Sequence, residues 1–250
     1  MKIDVVTLFP GIVESPIRES ILGRAQAKGS VTINVVNLRD YAEGRHRVAD
    51  DTPFGGGGGM ILKPEPLVSA VEGLRSAHSR VVLLDPQGAP FTQAEARRLA
   101  REEHLILLCG RYEGVDERVR ELVVDEEISI GDYVLTGGEL PALVVIDATV
   151  RLIPGVLGNE SASANDSFHD GLLEGPQYTR PEEFRGKRVP EVLLSGNHQK
   201  IREWRRRAML WRTFTRRREL LDTADLTPEE QKLVEGFRRG VVPPDLDDSS

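Results

Sequence analysis

The sequence has a single cysteine, Cys109, among its 250 residues. One cysteine excludes a disulfide framework within the chain and any metal site built from a cysteine cluster. No apolar run approaches the roughly 20 residues that a transmembrane helix needs. The opening segment MKIDVVTLFP places Asp4 where a signal peptide would be apolar, and no cleavage-type ending follows it. We therefore expect a cytoplasmic protein without a membrane partner.

A nucleotide phosphate loop is also missing, although residues 55–59 are consecutive glycines. The Gly-Lys-Ser/Thr ending of a P-loop is absent, and Met60 interrupts a G-x-G-x-x-G pattern. These absences argue against a nicotinamide- or ATP-dependent enzyme. The glycine run is either a flexible connector or, given the polar residues 45–47 and 50–51 beside it, a mobile loop over a site. The sequence leaves both interpretations open.

The chain lacks an overall basic excess, since its net charge is −7, but the charge is uneven. Residues 175–240 hold 16 basic and 10 acidic side chains, a net of +6. Within them, residues 200–218 hold nine basic residues and one acidic residue, Glu203. Phosphate groups respond to charge within about a Debye length, so this local excess keeps RNA as a candidate partner.

What the sequence does contain is a regular alternation of short apolar runs and helical patterns over residues 1–157. Strands rich in Val, Ile and Leu with helices between them are typical of a parallel sheet covered on both faces. We predict an α/β fold with a mostly parallel sheet. The predicted strands are residues 3–8, 31–38, 81–85, 105–109 and 128–135, and the predicted helices are residues 12–27, 65–77, 92–102, 116–123 and 139–152.

The second part of the chain has a different pattern. It begins, from residue 158, with a stretch rich in Ser, Asn, Asp and Gly, and such a composition is typical of a linker or a mobile loop. Helical patterns follow over residues 196–218 and 227–239, and a short polar tail ends the chain. We predict an α/β domain over 1–157, a linker or loop over 158–173, a small helical RNA-binding domain over 174–240 and a disordered tail over 241–250.

Glycine interrupts two of the predicted strands at their carboxyl ends. Residues 105–114 read LILLCGRYEG and residues 127–139 read EISIGDYVLTGGE. The turn-type sequence DPQG at residues 85–88 follows a third strand. Because glycine exposes backbone groups and parallel strands present their carboxyl ends at one edge, we expect one pocket that recognises its ligand mainly through the backbone.

Several side chains near these segments carry two interpretations each. Glu113 is either a charge that favours the start of a helix or a carboxylate that faces a cationic ligand. Cys109 ends an apolar strand without an evident basic neighbour, which favours a core residue over a nucleophile. Asp166 and His169 are either solvated polar residues or candidates for general-base chemistry.

The helix over 196–218 has an apolar stripe and a basic face. Ile201, Trp204, Ala208 and Trp211 recur at helical spacing, which favours tryptophans in the domain core over platforms for RNA bases. The arginines on the other positions form either a solvated surface or a phosphate-binding one. The near absence of acidic residues favours phosphate binding.

A set of motifs resembles one known family. In order from about residue 1 to about residue 235, the chain reads LFPGI, RHRVADDTPFGGGGGM, DPQG, CGRYEGVDERV, SIGDYVLTGGELPA, RLIPGVLGNE, NDSF, GLLEGPQYTRP and VLLSGNHQKIREWR. The ordered set is similar to the bacterial tRNA (guanine-N1)-methyltransferases of the SPOUT class. One departure is Gly58, where that family commonly has proline.

The resemblance implies transfer of a methyl group from S-adenosyl-L-methionine to N1 of the guanosine immediately 3′ of the tRNA anticodon. It implies a trefoil-knot cofactor site in the α/β domain, a small all-α C-terminal domain that binds tRNA, and a homodimer with a composite active site. Mg²⁺ is a possible additional cofactor, although no metal-ligand spacing indicates a site. The alternative class is an RNA-associated binding module that holds a nucleotide-like ligand without chemistry.

Site residues follow from the resemblance. The catalytic residues would be Asp166, Arg151 and Glu113, whose joint presence favours an enzyme, while His169 receives no role. The basic face of the helix, and not the resemblance, names Arg205, Arg206 and Arg216 as tRNA contacts, and Gly56 is a further candidate contact. The cofactor would contact Leu83, Leu84, Gln87, Gly88, Gly110, Ser129, Ile130, Gly131, Asp132, Tyr133, Val134, Leu135, Gly137 and Gly138.

Overall fold

A computed structural model describes residues 1–56, 58–158, 166–241, 243 and 246. The chain divides into two compact units, Met1–Gly158 and Asn159–Ser250. Much of the predicted linker, residues 159–165, lies outside the described residues, and the predicted domain ranges stay predictions. Within the described part, no helix has both the length and the apolar character needed to cross a membrane.

The first unit alternates strands and helices along the chain. Its helices are α1 (Pro10–Ile17), α2 (Ser20–Ala27), α3 (Pro64–Leu74), α4 (Gln93–Leu99), α5 (Glu117–Val123) and α6 (Glu139–Val150). Its strands are β1 (Lys2–Thr7), β2 (Thr32–Asn37), β3 (Asp50–Asp51), β4 (Ile61–Leu62), β5 (Ser79–Pro90), β6 (His104–Cys109) and β7 (Glu126–Ser129).

A parallel sheet forms the centre of this unit, with the strand order β2-β1-β6-β5-β7 among the described residues. One apolar core lies between the sheet and α1, α2, α4 and α6. A second core lies on the other face, beneath α3 and α5. The predicted α/β class with a mostly parallel, doubly covered sheet is confirmed. The trefoil knot stays a prediction.

Three predicted elements differ from the structure, each for a local reason. The helix predicted over 12–27 is two helices, because Pro16 has no amide hydrogen to donate and Ser20 adopts a φ of 50°. The strand predicted over 128–135 ends at Ser129, where a turn begins. The segment 85–88 does not end a strand: it bulges out of β5, which continues to Pro90.

The second unit contains a hairpin followed by helices. Its elements are β8 (Glu183–Phe184), β9 (Lys187–Arg188), α7 (Glu191–Leu194), α8 (His198–Arg216) and α9 (Pro228–Arg238). The hairpin adds a strand pair that the helical pattern did not predict. Arg185 and Gly186 have φ values of 53° and 79°, as the tight two-residue turns of hairpins require.

The core of the second unit confirms the predicted stripe on α8. Trp204 is 2% exposed and packs with Ala208, while the half-buried Trp211 contacts Phe214 and Phe237. Most of the predicted disordered tail lies outside the described residues. Leu246, which is described, is buried against Trp204, and the tail as a whole stays a prediction.

Candidate functional site

A cleft of about 280 Å³ opens at the carboxyl edge of the parallel sheet. Three chain segments wall it, and they follow or interrupt neighbouring strands β5, β6 and β7. Such an edge is where α/β sheets bind ligands. The lining residues are Leu84, Asp85, Pro86, Gln87, Gly110, Arg111, Tyr112, Glu113, Gly114, Ile128, Ser129, Ile130, Gly131, Tyr133, Val134, Leu135, Thr136, Gly137, Gly138 and Pro141.

The first wall is the bulge in β5. Leu84 and Ala89 both pair with Ile128 of β7, so the residues between them are forced out of the sheet. The Asp85 carboxylate fixes the bulge, because one oxygen accepts the Gln87 amide at 2.9 Å and the other pairs with Arg120 at 2.7 Å. Asp85, in the turn-type sequence DPQG, therefore holds this wall of the cleft in its conformation.

The second wall follows β6, where Cys109 is buried. Burial, with a further contribution from the negative charge of Glu139, raises the pKa of the Cys109 thiol well above its usual range. A protonated, buried thiol is a poor nucleophile. The prediction that Cys109 is a core residue is confirmed.

The third wall runs over residues 129–138. The Ser129 hydroxyl accepts the Gly131 amide and donates to the Gly131 carbonyl, both at 3.2 Å, which turns the chain away from the sheet. At the far end, the Gly138 amide donates to the Gly110 carbonyl at 2.9 Å. A Cβ added to Gly138 would lie 2.7 Å from Cys109 Cα, so only glycine permits this approach of the two walls.

Glu113 lies at the rim of the cleft, beside the glycine loop. Its amide donates to the Met60 carbonyl at 3.0 Å, and a Cβ added to Gly59 would lie 2.4 Å from its Oε1. The preceding Tyr112 has a φ of 60°, a conformation that clusters at functional sites. Helix α5 begins at Glu117, so Glu113 is not in its first turn. The geometry favours the interpretation of Glu113 as a carboxylate that faces a ligand.

The cleft brings together most, though not all, of the residues expected at the cofactor site. Leu83 is fully buried in a core, Gly88 packs against the backbone of β7, and Asp132 is exposed outside the lining. The predicted residues that line the cleft are Leu84, Gln87, Gly110, Glu113, Ser129, Ile130, Gly131, Tyr133, Val134, Leu135, Gly137 and Gly138.

Sequence reasoning missed several lining residues, of which Pro86, Arg111 and Thr136 lie inside the quoted motifs. Their positions inside DPQG, CGRYEG and SIGDYVLTGGE could have indicated them as lining residues, because a residue beside a predicted contact lies in the same loop. Pro141 also lies inside a quoted motif, SIGDYVLTGGELPA, but its place in the first turn of α6 favoured a helix residue over a lining residue.

The remaining catalytic candidates lie outside this lining. Arg151 follows α6 in the first unit, where its amide donates to the Asp147 carbonyl. Asp166 is half-buried in the second unit, and its carbonyl accepts the His169 amide at 3.2 Å. Gly56, which is predicted to contact tRNA, also lies outside the lining; it is exposed in the glycine loop of the first unit, with a φ of 80°.

The predicted RNA-binding arginines on α8 differ in their surroundings. Arg205 and Arg216 are exposed and form no ion pair within the described part of the chain. Arg206 instead pairs with Asp170 and, at 2.6 Å, with Glu230. Burial lowers the pKa of Arg206, but its hydrogen bonds to these carboxylates outweigh burial and raise it. Arg206 is therefore engaged within its own unit.

Taken together, these elements define an α/β protein with a parallel sheet and a glycine-rich cleft at its carboxyl edge, of a size that suits a small ligand. A family model described as tRNA (Guanine-1)-methyltransferase TrmD matches residues 1–223. The chain belongs to this family.

Curated relatives named tRNA (guanine-N(1)-)-methyltransferase match nearly the whole chain. The relative from Pelotomaculum thermopropionicum is 57% identical and covers 94% of this chain and 95% of its own length. The relative from Anoxybacillus flavithermus is 56% identical and covers 96% of this chain and 99% of its own length. The relative from Carboxydothermus hydrogenoformans is 56% identical, with 95% and 94% covered.

Proposed function

We propose that this protein transfers a methyl group from S-adenosylmethionine to N1 of the guanosine immediately 3′ of the tRNA anticodon, position 37, giving N1-methylguanosine. The observation that carries the proposal is the backbone-lined cleft, with Glu113 at its rim, in a chain that belongs to the tRNA (guanine-1)-methyltransferase family. Membership of a methyltransferase family implies S-adenosylmethionine as the general methyl donor.

The cleft suits the methyl donor in size and lining. Its volume of about 280 Å³ is near the lower end of small-molecule sites, which are roughly 300–1,000 Å³. Leu84, Ile130 and Leu135 offer apolar surface for the faces of an adenine ring. The glycine backbone of the second and third walls offers N–H and C=O groups for its polar edges. S-adenosylmethionine would supply a methyl group already activated by its sulfonium.

The chemistry left to the protein concerns guanine N1, which carries a proton. We propose that the Asp166 carboxylate accepts this proton as N1 attacks the methyl carbon, while the methyl–sulfur bond breaks and S-adenosylhomocysteine leaves. Negative charge develops on guanine O6 as the proton departs and is lost when the N1–methyl bond is complete, and the Arg151 guanidinium would stabilise it in the transition state. Fixed charges aimed at such developing charge are among the strongest contributions to catalysis. Glu113 would contribute a carboxylate at the rim of the cleft.

We propose that the tRNA is held by exposed arginines of α8, of which Arg205 and Arg216 have the appropriate exposure. Phosphate contacts supply affinity, and the target base would be read in the pocket after it leaves the base stack. Gly56 of the glycine loop would lie against the substrate. The protein would act in the cytoplasm, and Mg²⁺ could assist as a further ion.

A homodimer with a composite active site completes the proposal. Most residues of helix α6 are apolar, and Leu140 and Val144, one turn apart on it, are 53% and 45% exposed. Neighbouring apolar side chains exposed in this way are typical of a surface that another protein chain covers. A second copy of the chain would provide that cover.

The test is an incubation of purified protein with methyl-labelled S-adenosylmethionine and tRNA that carries or lacks the target guanosine. Label transfer that requires this base is the expected result. Binding of both ligands without transfer would instead indicate the alternative class, a binding module without chemistry.

Asp166→Asn tests the proton acceptor. We expect donor affinity to be retained and turnover to fall by roughly a hundredfold to ten-thousandfold, the usual range for general-base help. Asp225→Asn is the matched control, since it removes the same charge from an exposed position of the second unit. Turnover near the wild-type value in Asp166→Asn would remove Asp166 from this role.

A further inference from the structure

A buried polar contact connects the sheet with the end of the third cleft wall. The Thr7 hydroxyl, at the end of β1, donates to Glu139 Oε1 at 2.7 Å. Glu139 is 2% exposed, and Thr7 is fully buried. Glu139 is also the first residue of α6, where the positive end of the helix dipole favours a negative charge.

Arg111 lies between this carboxylate and the cleft. Its Nε is 3.9 Å from Glu139 Oε2, and its guanidinium carbon is 4.3 Å from the centroid of the Phe9 ring. Its Nη1 donates to the Thr136 carbonyl at 2.7 Å, and its backbone forms an isolated antiparallel bridge with Gly137. One side chain thus joins a buried charge, an aromatic face and the backbone of the third wall.

The third wall has little packing of its own to hold it. Tyr133 is 54% exposed and Val134 is 85% exposed. A segment with few buried apolar contacts has low local stability unless other groups fix it. Among the contacts described for residues 133–137, the Arg111 bond and bridge reach outside the loop to the buried part of the unit.

The absence of a side chain at Gly137 makes this arrangement possible. A Cβ there would lie 2.5 Å from Glu139 Oε2 and 2.8 Å from Arg111 Cδ. The loop backbone, the carboxylate and the guanidinium therefore meet at one point.

We propose that Glu139 is a positioning residue, which acts through Arg111 to fix residues 131–138 in the conformation that binds the methyl donor. The catalytic assignments above do not use Glu139 or Arg111. The identity of the ligand rests on the proposed function; the effect on the loop does not. The carboxylate orients the guanidinium, and the guanidinium holds the Thr136 carbonyl.

The test uses Glu139→Gln, which keeps the acceptor for the Thr7 hydroxyl and removes the charge, and Arg111→Lys, which keeps the charge and loses the planar fork. Arg39→Lys is the matched control. Arg39 also lies near the Phe9 ring, at 5.8 Å, but donates to the Leu8 carbonyl instead of the third wall.

Amide hydrogen exchange of the unliganded protein is measured first. Both test variants should lose protection over residues 131–138, and Arg39→Lys should not. Calorimetric titration with S-adenosylmethionine should then show a dissociation constant raised roughly tenfold to a hundredfold in Arg111→Lys, which loses the charge-assisted hydrogen bond to the Thr136 carbonyl. The rise should be smaller in Glu139→Gln, which loses an ion pair at 3.9 Å. The Michaelis constant for tRNA should stay unchanged.

Unchanged exchange in both test variants would overturn the proposal. So would a general loss of protection with equal weakening of both substrates, because that result indicates a structural role alone. If Glu139→Gln does not fold, Thr7→Val tests the anchoring of the carboxylate, because it removes the hydroxyl that donates to Glu139; it also removes the acceptor of the Phe9 amide. Its control is Thr149→Val, because the buried Thr149 Oγ1 has no hydrogen-bond partner in the described residues. A wild-type protein that binds no S-adenosylmethionine would contradict the proposed function, while the exchange result would still decide this proposal.

Discussion

The cleft of the first unit and the arginine surface of the second offer opposite kinds of contact. The cleft presents backbone groups at fixed positions, and its walls approach so closely that an added methyl group at Gly138 would reach 2.7 Å from another Cα. The surface of α8 presents long charged side chains, such as Arg205 and Arg216, that solvent surrounds. Steric fit therefore limits which ligands the cleft can accept. Charge and salt concentration instead determine how strongly the surface of α8 attracts a charged ligand.

This difference predicts unequal responses to mutation. Close-packed interiors respond to a single added carbon, because neither backbone can move without disturbing its neighbours. Exposed charges act over several ångströms and are screened by ions, so each one contributes little. Arg206 differs from Arg205 and Arg216 on α8, because two carboxylates of its own unit hold it.

The largest effect is expected for Gly138→Ala. Gly138 has backbone angles that alanine tolerates, with φ −79° and ψ −3°, so the effect is steric. The added Cβ would meet Cys109 Cα and the Gly110 amide nitrogen, which separates the second wall from the third. We expect a loss of about 1–3 kcal/mol in the free energy of unfolding and no measurable donor binding. Denaturant unfolding and calorimetric titration measure the two effects.

Gly110→Ala is the matched comparison for stability. The nearest atom to its added Cβ, the Leu84 carbonyl oxygen, would lie at 3.8 Å, an ordinary contact. We expect wild-type stability for this variant. Equal stability of the two variants would show that the walls are not as closely fitted as the structure indicates.

An intermediate effect is expected for Arg206→Gln, which tests whether Arg206 acts within its unit. Burial raises the pKa of Glu230, but the hydrogen bond from Arg206 outweighs it and holds the pKa below its ordinary value of 4.5. The pair therefore stabilises the fold fully above that value, and this contribution is lost as the pH falls through the folded-state pKa. We expect Arg206→Gln to cost about 1–2 kcal/mol at neutral pH.

The measurement is denaturant unfolding of both proteins between pH 7 and about pH 3. The stability difference between wild type and Arg206→Gln should shrink as the pH falls. A difference that stays constant with pH, or a variant of wild-type stability, would return Arg206 to the arginines that we propose contact tRNA.

In both regions, the features that the sequence predicted are those that depend on residues close together in the chain. Local patterns located the apolar stripe with Trp204 and the helix start at Thr227, where the structure has a capping box with Glu230. Both depend on residues three or four apart, and such spacing is visible in the sequence. The burial of Cys109 followed from an equally local signal, whereas the turn at Gly131 lies inside a segment that the apolar pattern predicted as a strand.

Features built from distant residues were not predictable in this way. The bulge in β5 depends on how Ile128 pairs with two separate residues, and the bond between Arg206 and Glu230 joins side chains 24 positions apart. The excess of basic residues on α8 predicted that Arg206 binds phosphate. A count of charges along the sequence does not show that the Glu230 carboxylate packs against Arg206 in the fold. Arg111 was missed for the same reason, since Glu139 and Phe9 reach it only through the fold.

The smallest effect is expected for Arg205→Gln combined with Arg216→Gln. Neither arginine forms an ion pair in the described residues, so stability should not change. If both contact tRNA phosphates, the dissociation constant should rise a few-fold at moderate salt, and the slope of its logarithm against that of the salt concentration should fall by roughly one per contact. Arg238→Gln combined with Arg239→Gln is the control, since it removes the same charge from the end of α9. A slope equal to that of wild type would place the RNA away from Arg205 and Arg216, and would leave net charge alone to explain the affinity of the second unit.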